Sequence, residues 1–540
     1  MVRRTCLILA ALGLAACQTP DRRGVFDLDY EGQLQREARR AAGDPVAVPD
    51  EVQPTPDPRA ALQLPTGDGP LDLAVEQAVF LAVQNNRDLE VQSLNPVIVG
   101  TFEQIERGVY DPELFADYRF SQQEATETSR ATADQFSVRS EENATVAGVR
   151  QQLPTGTAVE ATAGTDRTFS NRTPDQHAPR LGLSVTQQLL QGLDPAVNLA
   201  SIRQAELDTL ASVYELRGFT EALIAEVETT YWTYALGQQA ITIVEQSLQL
   251  ARQQRDEVEA RIDVGVIPRT EGAAARAEVA QREQALINAR SLAQTQRLRL
   301  LRLINAQPDD SLHRDVRIAS PTALDAQPLD DVPLRVQLAQ RARPDLQEAL
   351  LRLEQDRLET LVTRNGLLPR LEVFMAVGKT GYAEAFGDAV RDMDGSNFDF
   401  TAGAGFTYAL GNRTAEARDL AARATRQQSA AAVANLRQII TLDVHLACTE
   451  VERARQQIAA TAATRALREE TLRAEEERFR VGASTSLLVA QAQRDLVQSQ
   501  IDELEAVIGY RIALIDLYVA EGTLLQRRGI DLAATERDAR

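Results

Sequence analysis

The chain has 540 residues, of which 44% are apolar, 25% are charged and 5% are aromatic, and its net charge is −20. This composition is too apolar for a disordered chain and too rich in charge for a protein built from many membrane-spanning helices. The negative charge argues against binding to nucleic acid, and three histidines and three cysteines provide little material for a metal site or a disulfide framework.

The N-terminus is typical of a lipoprotein signal peptide. Arg3 and Arg4 precede an apolar run of ten residues, which is too short to span a bilayer. The run ends in Leu14-Ala15-Ala16-Cys17, which resembles the lipobox of bacterial lipoproteins. That resemblance implies a signal peptide over 1–16, diacylation of Cys17 and, because Gln18 follows the cysteine, sorting to the outer membrane. The alternative is an ordinary signal peptide in which the cysteine is incidental.

Residues 17–70 are polar and rich in proline, which predicts an extended tether between the lipid and the folded body. Beyond this tether one sequence pattern occurs twice. Asn86-Arg87-Asp88-Leu89 recurs as Arg343-Pro344-Asp345-Leu346, an offset of 257, and Arg261–Gly265 recurs as Arg478–Gly482, an offset of 217. The repetition predicts a duplicated unit, with about forty additional residues in the first copy.

Each copy predicts a helix, two strands, a long helix, a turn and another helix. The first repeat covers 71–306, with helices at 71–107, 196–262 and 269–306; the second covers 333–525, with helices at 333–365, 413–480 and 485–525. Residues 307–332 connect the repeats and 526–540 form a polar tail. At 1.5 Å per residue, the longest helix of each repeat extends for about 100 Å, far beyond an average globular helix.

Alternating side chains predict membrane-barrel strands within 112–190 and 369–410. In 398–410 the even positions, among them Phe398, Phe400 and Phe406, are apolar, whereas most odd positions are polar or glycine. Segments 113–120 and 181–188 alternate in the same way. Four strands are too few to close a barrel in lipid, so we expect several copies of the chain to share one.

The additional residues of the first copy predict a further hairpin. Thr145–Gln152 and Thr157–Ala163 flank the turn residues Leu153-Pro154-Thr155-Gly156. This hairpin either lies at the barrel rim or enlarges the barrel to six strands per chain. Because its alternation is weaker than that of the other strands, we expect it at the rim.

No constellation predicts catalysis or a cofactor. The sequence contains no phosphate-binding P-loop, no GxSxG and no HExxH motif. His177, His313 and His445 share no metal-ligand spacing, and Cys448 lies alone in a helical stretch, where we expect a buried small apolar side chain. We therefore predict that the protein is not an enzyme and holds no metal.

The duplicated motifs resemble those of the TolC-like outer-membrane efflux proteins. The resemblance covers about 71–525 and rests on the two pairs of motifs above, on Gln187–Gly192 at a strand-to-helix junction, and on Ala273–Ala277 and Ala490–Gln493 beyond the turns. It implies an α+β membrane fold in which a homotrimer forms a twelve-stranded outer-membrane β-barrel continuous with a long periplasmic α-helical barrel. It also implies passive export of small molecules or proteins, together with a periplasmic adaptor and an inner-membrane pump.

The resemblance also implies two functional regions at the far end of the helices. An adaptor-contacting tip would comprise two turns, with these residues: Val264, Gly265, Val266, Val481, Gly482 and Ala483. Glycine suits a helix end with positive φ, so a purely structural role for both glycines stays open.

The second region is a gate, where the sequence departs from the family pattern. Glu271 matches an aspartate that is bonded by a tyrosine and an arginine in well-known members, but Phe479 and Ser484 stand at the positions of those two partners. Leu488 and Gln491 stand where aspartates narrow the entrance. We therefore expect an apolar or otherwise different closure. The competing hypotheses are a structural coiled-coil envelope lipoprotein that conducts nothing and an envelope enzyme.

Overall fold

The computed structural model describes residues 70–128, 135–304, 311–321, 326–329 and 331–530. The predicted signal peptide, Cys17 and almost all of the tether lie outside these residues, as does most of the predicted C-terminal tail. Within the described part, no helix is both long enough and apolar enough to cross a membrane.

Among the described residues, the first half of the chain contains five strands and six helices, in this order: β1 Leu71–Leu73, α1 Val75–Asn85, α2 Arg87–Ser93, α3 Asn95–Gly108, β2 Glu113–Thr128, β3 Gln135–Gln152, β4 Thr157–Ser170, β5 Thr173–Gln188, α4 Pro195–Asn198, α5 Ala200–Asp263 and α6 Arg269–Ile304. The second half begins with a 3-10 turn and continues as follows: β6 Val316–Ile318, α7 Val332–Ala342, α8 Pro344–Asn365, β7 Arg370–Thr380, α9 Phe386–Asp392, β8 Phe398–Thr407, α10 Arg413–Arg480, α11 Ser486–Glu521 and α12 Leu524–Arg527.

The long helices confirm the prediction from the apolar and polar pattern. Helix α5 has 64 residues and α10 has 68, so at the standard rise each extends for about 100 Å. Helix α5 packs along α6 and α10 along α11, which makes two long helical hairpins.

The shorter helices of each half are interrupted, and the predictions of single helices over 71–107 and 333–365 are wrong. Asn86 separates α1 from α2, and its side chain accepts a hydrogen bond from the Leu89 amide at 3.0 Å. Arg343 separates α7 from α8 because the residue before a proline avoids helical geometry. Both residues adopt almost the same extended backbone, with φ −67° and ψ 123° at Asn86 and φ −63° and ψ 125° at Arg343.

A two-stranded parallel sheet joins the start of the folded body to the predicted connector. Strand β1 pairs with β6, so 71–73 is not helical and 307–332 is not entirely a linker. The buried Tyr231 hydroxyl donates to the Leu73 carbonyl at 2.8 Å, and the Tyr234 hydroxyl donates to the Val316 carbonyl at 2.8 Å. Two tyrosines of α5 thus hold both strands against the long helices.

The larger sheet has six antiparallel strands in the order β2-β3-β4-β5-β7-β8. The hairpin of β3 and β4 is present but longer than predicted, and it lies inside the sheet between β2 and β5. The expectation of a hairpin apart from the other strands, and hence of four strands per chain, is wrong. Its physical reason is the backbone: β3 hydrogen-bonds along all of β2, from Glu113 opposite Arg150 to Thr128 opposite Gln135.

The core lies among the helices, next to the small sheet. Helix α11 contributes Ile508 and Ile515, which pack with Tyr231 and Leu301 in the largest buried cluster. Cys448 is buried in a second cluster with Val444 and Val451, as expected for a small apolar side chain. Burial raises the pKa of the Cys448 thiol, so the unreactive protonated form is favoured.

Candidate functional site

Each long helical hairpin ends in the same tight turn. At the end of α5 the Gly265 amide donates to the Ile262 carbonyl at 3.0 Å, and the Val266 amide donates to the Arg261 carbonyl at 2.9 Å. At the end of α10, Gly482 donates to Phe479 at 3.1 Å and Ala483 donates to Arg478 at 2.8 Å. Both sets of bonds form a Schellman motif, which satisfies the last carbonyls of the helix.

The glycine in each turn is required by its backbone. Gly265 has φ +73° and Gly482 has φ +76°, a left-handed conformation that disfavours residues with a Cβ atom. No atom lies within 4 Å of a Cβ built on either glycine, so conformation and not crowding selects the residue. The prediction of positive-φ helix ends is therefore confirmed.

The two turns expose apolar side chains to solvent. Val264 is 77% exposed, Val266 is 72% exposed and Val481 is 78% exposed, and Ala483 is exposed as well. The described part of the chain therefore covers only a small fraction of these valines. The predicted tip residues thus form two neighbouring turns, and each turn exposes apolar side chains on a hydrogen-bonded backbone.

The predicted gate residue Glu271 contacts the opposite hairpin, but through a different partner. It lies in the first turn of α6, and its carboxylate accepts a hydrogen bond from the Ser486 hydroxyl at the start of α11. Thr485 caps α11 by accepting from the Leu488 amide, which fixes the position of Ser486. The Glu271–Ser486 bond therefore connects the two hairpins directly behind their tips.

Phe479 and Ser484 are placed differently from the tyrosine and arginine that they replace. The Arg261 guanidinium lies over the Phe479 ring, 5.2 Å from its centroid, which is a cation–π contact between α5 and α10. Ser484 turns back onto its own hairpin and donates to Glu475 Oε2 at 2.8 Å. Arg261 and Phe479 thus form a second connection between the hairpins, whereas Ser484 forms none.

A cleft of about 320 Å³ lies between the hairpins above these contacts. Its charged lining includes Glu278, which pairs with Arg282 at 2.8 Å and lies 3.7 Å from Arg494 Nε of α11. Because Arg494 lies on α11, Glu278 adds a third link between the two hairpins, this one from α6 to α11. The contacts between the hairpins in this region are therefore polar and aromatic.

Leu488 and Gln491 are exposed in the single chain, with Leu488 at 46%. They lie three residues apart on α11 and therefore share one helix face. This face does not carry the contacts of Ser486 with Glu271. The structure thus brings Glu271 and Phe479 to the junction of the hairpins and leaves Leu488 and Gln491 on a free surface.

The large sheet presents a continuous apolar face. One row of opposed residues crosses all six strands, and its members are Leu114, Val149, Ala161, Leu183, Val377 and Phe400. Residues opposite each other in an antiparallel sheet point to the same face, so these side chains form a single stripe. Leu114 is 80% exposed and Phe400 is 58% exposed, although both are large and apolar.

Two functional contacts escape analysis of the sequence. Arg261 is visible only as the first residue of a turn motif, and Ser486 follows a helix cap without any distinctive spacing. Of the two residues, only Arg261 belongs to a pattern in the sequence, because it begins the duplicated turn motif. Among the described residues, no group of three or more His, Cys, Asp or Glu side chains is arranged to hold a metal ion.

Comparison with known proteins gives consistent matches. A sequence profile described as outer membrane efflux protein matches residues 158–306 and 335–523. The probable efflux pump outer membrane protein TtgC of Pseudomonas putida is 26% identical over 484 residues, which are 84% of this chain and 83% of that protein.

Solved structures share the fold. A membrane protein from Pseudomonas aeruginosa has a TM-score of 0.62 at 20% identity and covers 84% of this chain and 94% of its own. The outer-membrane channel OprN has a TM-score of 0.63 at 16% identity and covers 89% of this chain and 99% of its own. The α+β arrangement of long helices and a sheet is therefore common to all three.

Proposed function

The chain belongs to the outer membrane efflux protein family, and from this premise we propose that it is the passive duct through which an efflux pump exports its substrates across the outer membrane. The observation that carries the proposal is the six-stranded sheet, whose apolar face is exposed and which continues into helices of about 100 Å. A chain of this kind supplies both a membrane section and a long section outside it.

The edges of the sheet require further copies of the chain. Strands β2 and β8 form the two edges, so among the residues that the structure describes no strand pairs with their outer backbone groups. In lipid each unpaired group costs several kcal/mol, so an open sheet is not stable there. Pairing of β8 with β2 of the next copy removes both edges and closes the wall.

Helix α3 supports the same assembly. It exposes an apolar stripe at helical spacing, in which Ile98, Phe102 and Ile105 are each more than half exposed. A stripe of this size on a helix beside α5 is costly in water. We assign its occupant to a neighbouring copy of the chain, because the sheet edges demand a neighbour on the same side.

Three copies are the proposed number, as the family resemblance implies. Each copy contributes two long helical hairpins, so three copies surround a helical tunnel that is continuous with the strand wall. Cys17 is the proposed lipid anchor and residues 17–70 are the proposed tether, both on the evidence of the sequence alone. The efflux pump is completed by a periplasmic adaptor and an inner-membrane transporter.

The turns at Gly265 and Gly482 are the proposed contact with the adaptor. They lie at the ends of the helices, and their valines are more than 70% exposed in the described part of the chain. The contacts of Glu271 with Ser486 and of Arg261 with Phe479 are the proposed closure. Because each joins the two hairpins of one copy, separating the hairpins requires both contacts to break.

Reconstitution tests the channel directly. We expect purified protein to form a heat-modifiable trimer on gels and to conduct ions in a planar bilayer, with a conductance that rises when the tip contacts are removed. A stable monomer, or a trimer that never conducts even after these contacts are removed, would support the structural lipoprotein instead.

Crosslinking tests the tip separately. A Val264→Cys variant carrying a photoactivatable crosslinker should capture the adaptor in native envelopes. The matched control is Leu420→Cys, an exposed apolar position near the opposite end of α10, where we expect no capture of the adaptor. Equal capture of the adaptor at both positions would contradict the proposal that the tip is the adaptor contact.

A further inference from the structure

The hairpin of β3 and β4 is hydrogen-bonded into the large sheet along both of its sides. Strand β4 pairs with β3 from Ser140 opposite Ser170 to Gln152 opposite Ala158, and with β5 from Thr157 opposite Gln187 onwards. One irregularity in register occurs, at the distant end near Thr168 and Ser170. A flap resting on a rim would lack such pairing along both of its sides.

The side chains of the hairpin continue the apolar face. Ala147 and Val149 of β3 and Ala161 and Ala163 of β4 are exposed and lie in the same rows as Leu181 and Leu183 of β5. Their alternation is weak in the sequence because alanine stands where the other strands have leucine or phenylalanine. The register, however, places every one of them on the apolar side.

The opposite face of the hairpin is small and polar, and it is less exposed. Gly148, Thr162 and Gly182 lie in one row of that face. The Phe115 ring covers Gly148, within 2.9 Å of where a Cβ atom would stand, and Arg150 lies over the same ring at 5.5 Å from its centroid. Such a face, with small residues, charged residues and aromatic rings laid flat, suits the inner wall of a water-filled pore.

From these observations we propose that β3 and β4 are a section of the membrane wall, so that three copies enclose an eighteen-stranded pore. This inference rests on the proposed function, which supplies the trimer. Barrel diameter grows roughly in proportion to strand number, so this pore is about 1.5 times as wide as the one expected from four strands per copy. Barrels of 16–18 strands leave an aqueous channel, whereas the interior of a barrel of about eight strands is filled by side chains.

Because the strand-walled exit is wide, we expect selection of solutes by size to occur at the opposite end of the duct, at the helical tips. An exit of this diameter passes bulky hydrated solutes that a twelve-stranded pore would hold back. The narrowest point then lies at the helical tips, where Glu271 meets Ser486. We therefore expect the strand wall not to select among solutes by size.

Cysteine pairs test whether the hairpin faces lipid. In a Cys448→Ala background, Ala161→Cys on the apolar face and Thr162→Cys on the opposite face of β4 are each labelled with a fluorophore in reconstituted trimers. Val377→Cys and Ala376→Cys provide the matched pair on β7, which has the same two orientations. Quenching by brominated lipid and by aqueous iodide is then measured for all four.

We expect lipid to quench the labels at 161 and 377, and iodide to quench those at 162 and 376. If the β7 pair alternates while both β4 labels are quenched by iodide, the hairpin lies outside the membrane and the inference is overturned. If the β7 pair also fails to alternate, the sheet is not a membrane wall, and the proposed function falls together with the inference.

Deletion of 135–170 tests the width. It removes two strands, so β2 and β5 become neighbours that run in opposite directions with their apolar faces on the same side. Entry of neutral polyethylene glycols of increasing size from the strand side of the channel reports the bore. An assembled deletion trimer should exclude polymers that the full chain admits, and an unchanged limit would overturn the inference; if the deletion does not assemble, the quenching pattern decides.

Discussion

Arg335 of α7 donates to Glu521 at the end of α11 at 2.7 Å, and both side chains are almost completely buried. Glu521 also accepts from Thr523 at 3.1 Å and from Arg527 at 3.2 Å. One carboxylate thus neutralises two buried guanidinium groups and connects the second half of the chain to its C-terminal helix.

Loss of the Glu521 charge is therefore expected to destabilise the protein more than loss of Arg335. Removal of one partner of a buried ion pair costs about 3–5 kcal/mol, and Glu521→Gln removes a charge that two buried arginines contact, whereas Arg335→Met leaves Glu521 paired with Arg527. Thermal unfolding of the detergent-solubilised trimer measures both. Arg87→Met, which breaks an exposed pair with Glu90, is the control and should shift the unfolding temperature little.

Glu221 of α5 predicts a dependence of stability on pH. Burial raises the pKa of its carboxyl to about 7, although Arg217 and Arg343 partly oppose the shift. Arg217 Nε lies 3.6 Å from Glu221 Oε1, too far for a hydrogen bond, and neither atom has a hydrogen-bond partner among the described residues.

The folded chain binds this proton more tightly than the unfolded chain does. Its contribution to the free energy of unfolding is complete below pH 4.5 and is lost as the pH rises through about 7, an effect of about 3 kcal/mol. Glu221→Gln should therefore match the wild type at pH 4.5 and exceed it in unfolding temperature at pH 8. If the difference in unfolding temperature between Glu221→Gln and the wild type is the same at both pH values, this assignment is wrong.

The turn glycines are expected to control local opening at the tips. Gly265→Ala forces a Cβ atom into a left-handed conformation at a cost of about 1 kcal/mol, which corresponds to about fivefold faster amide exchange in that turn. Hydrogen exchange read by mass spectrometry over 258–270 measures this. Gly265→Asn is the control, since asparagine tolerates the conformation, and equal acceleration in both variants would contradict the explanation.

The contacts between the hairpins predict which substitutions open the channel. Ser486→Ala combined with Arg261→Ala removes the partners of Glu271 and Phe479, so we expect a higher conductance in planar bilayers. Ser484→Ala is the matched control, because Ser484 bonds Glu475 within its own hairpin and should leave the conductance unchanged. A rise with Ser484→Ala and none with the double variant would reverse the assignment.

Leu488 provides a separate test of the entrance. Its exposed side chain shares a helix face with Gln491, and in a trimer that face is expected to line the narrow end of the tunnel. Leu488→Ala should then raise the conductance of the closed channel. A conductance equal to that of the wild type would exclude Leu488 from the closure.

Much of the helical architecture follows from sequence alone, because the physical signals there are strong. The duplicated turn motif locates both tip glycines, since glycine accepts their φ at the lowest cost. The long amphipathic pattern places α5 and α10 within a few residues of their observed ends. In contrast, breaks at Asn86 and Arg343 are weaker signals, since a single capping side chain or a following proline decides them.

The hairpin could not be placed by alternation, and the gate contacts could not be found by spacing. Alanine, threonine and glycine in β3 and β4 give little contrast between the two faces, and only the hydrogen-bonded register shows where they lie. Ser486 and Glu271 are 215 residues apart in the sequence, so no local pattern predicts their contact. The small sheet of β1 and β6 is hidden for the same reason.

The strands of the large sheet are unequal in length. Strand β2 has 16 residues and β3 has 18, whereas β7 has 11 and β8 has 10. At about 3.3 Å per residue, the first pair extends roughly 20 Å beyond the second. When β8 joins β2 of a neighbouring copy, long and short strands alternate around the outer opening of the barrel. A trimer therefore has an uneven rim, with three raised sections and three gaps between them.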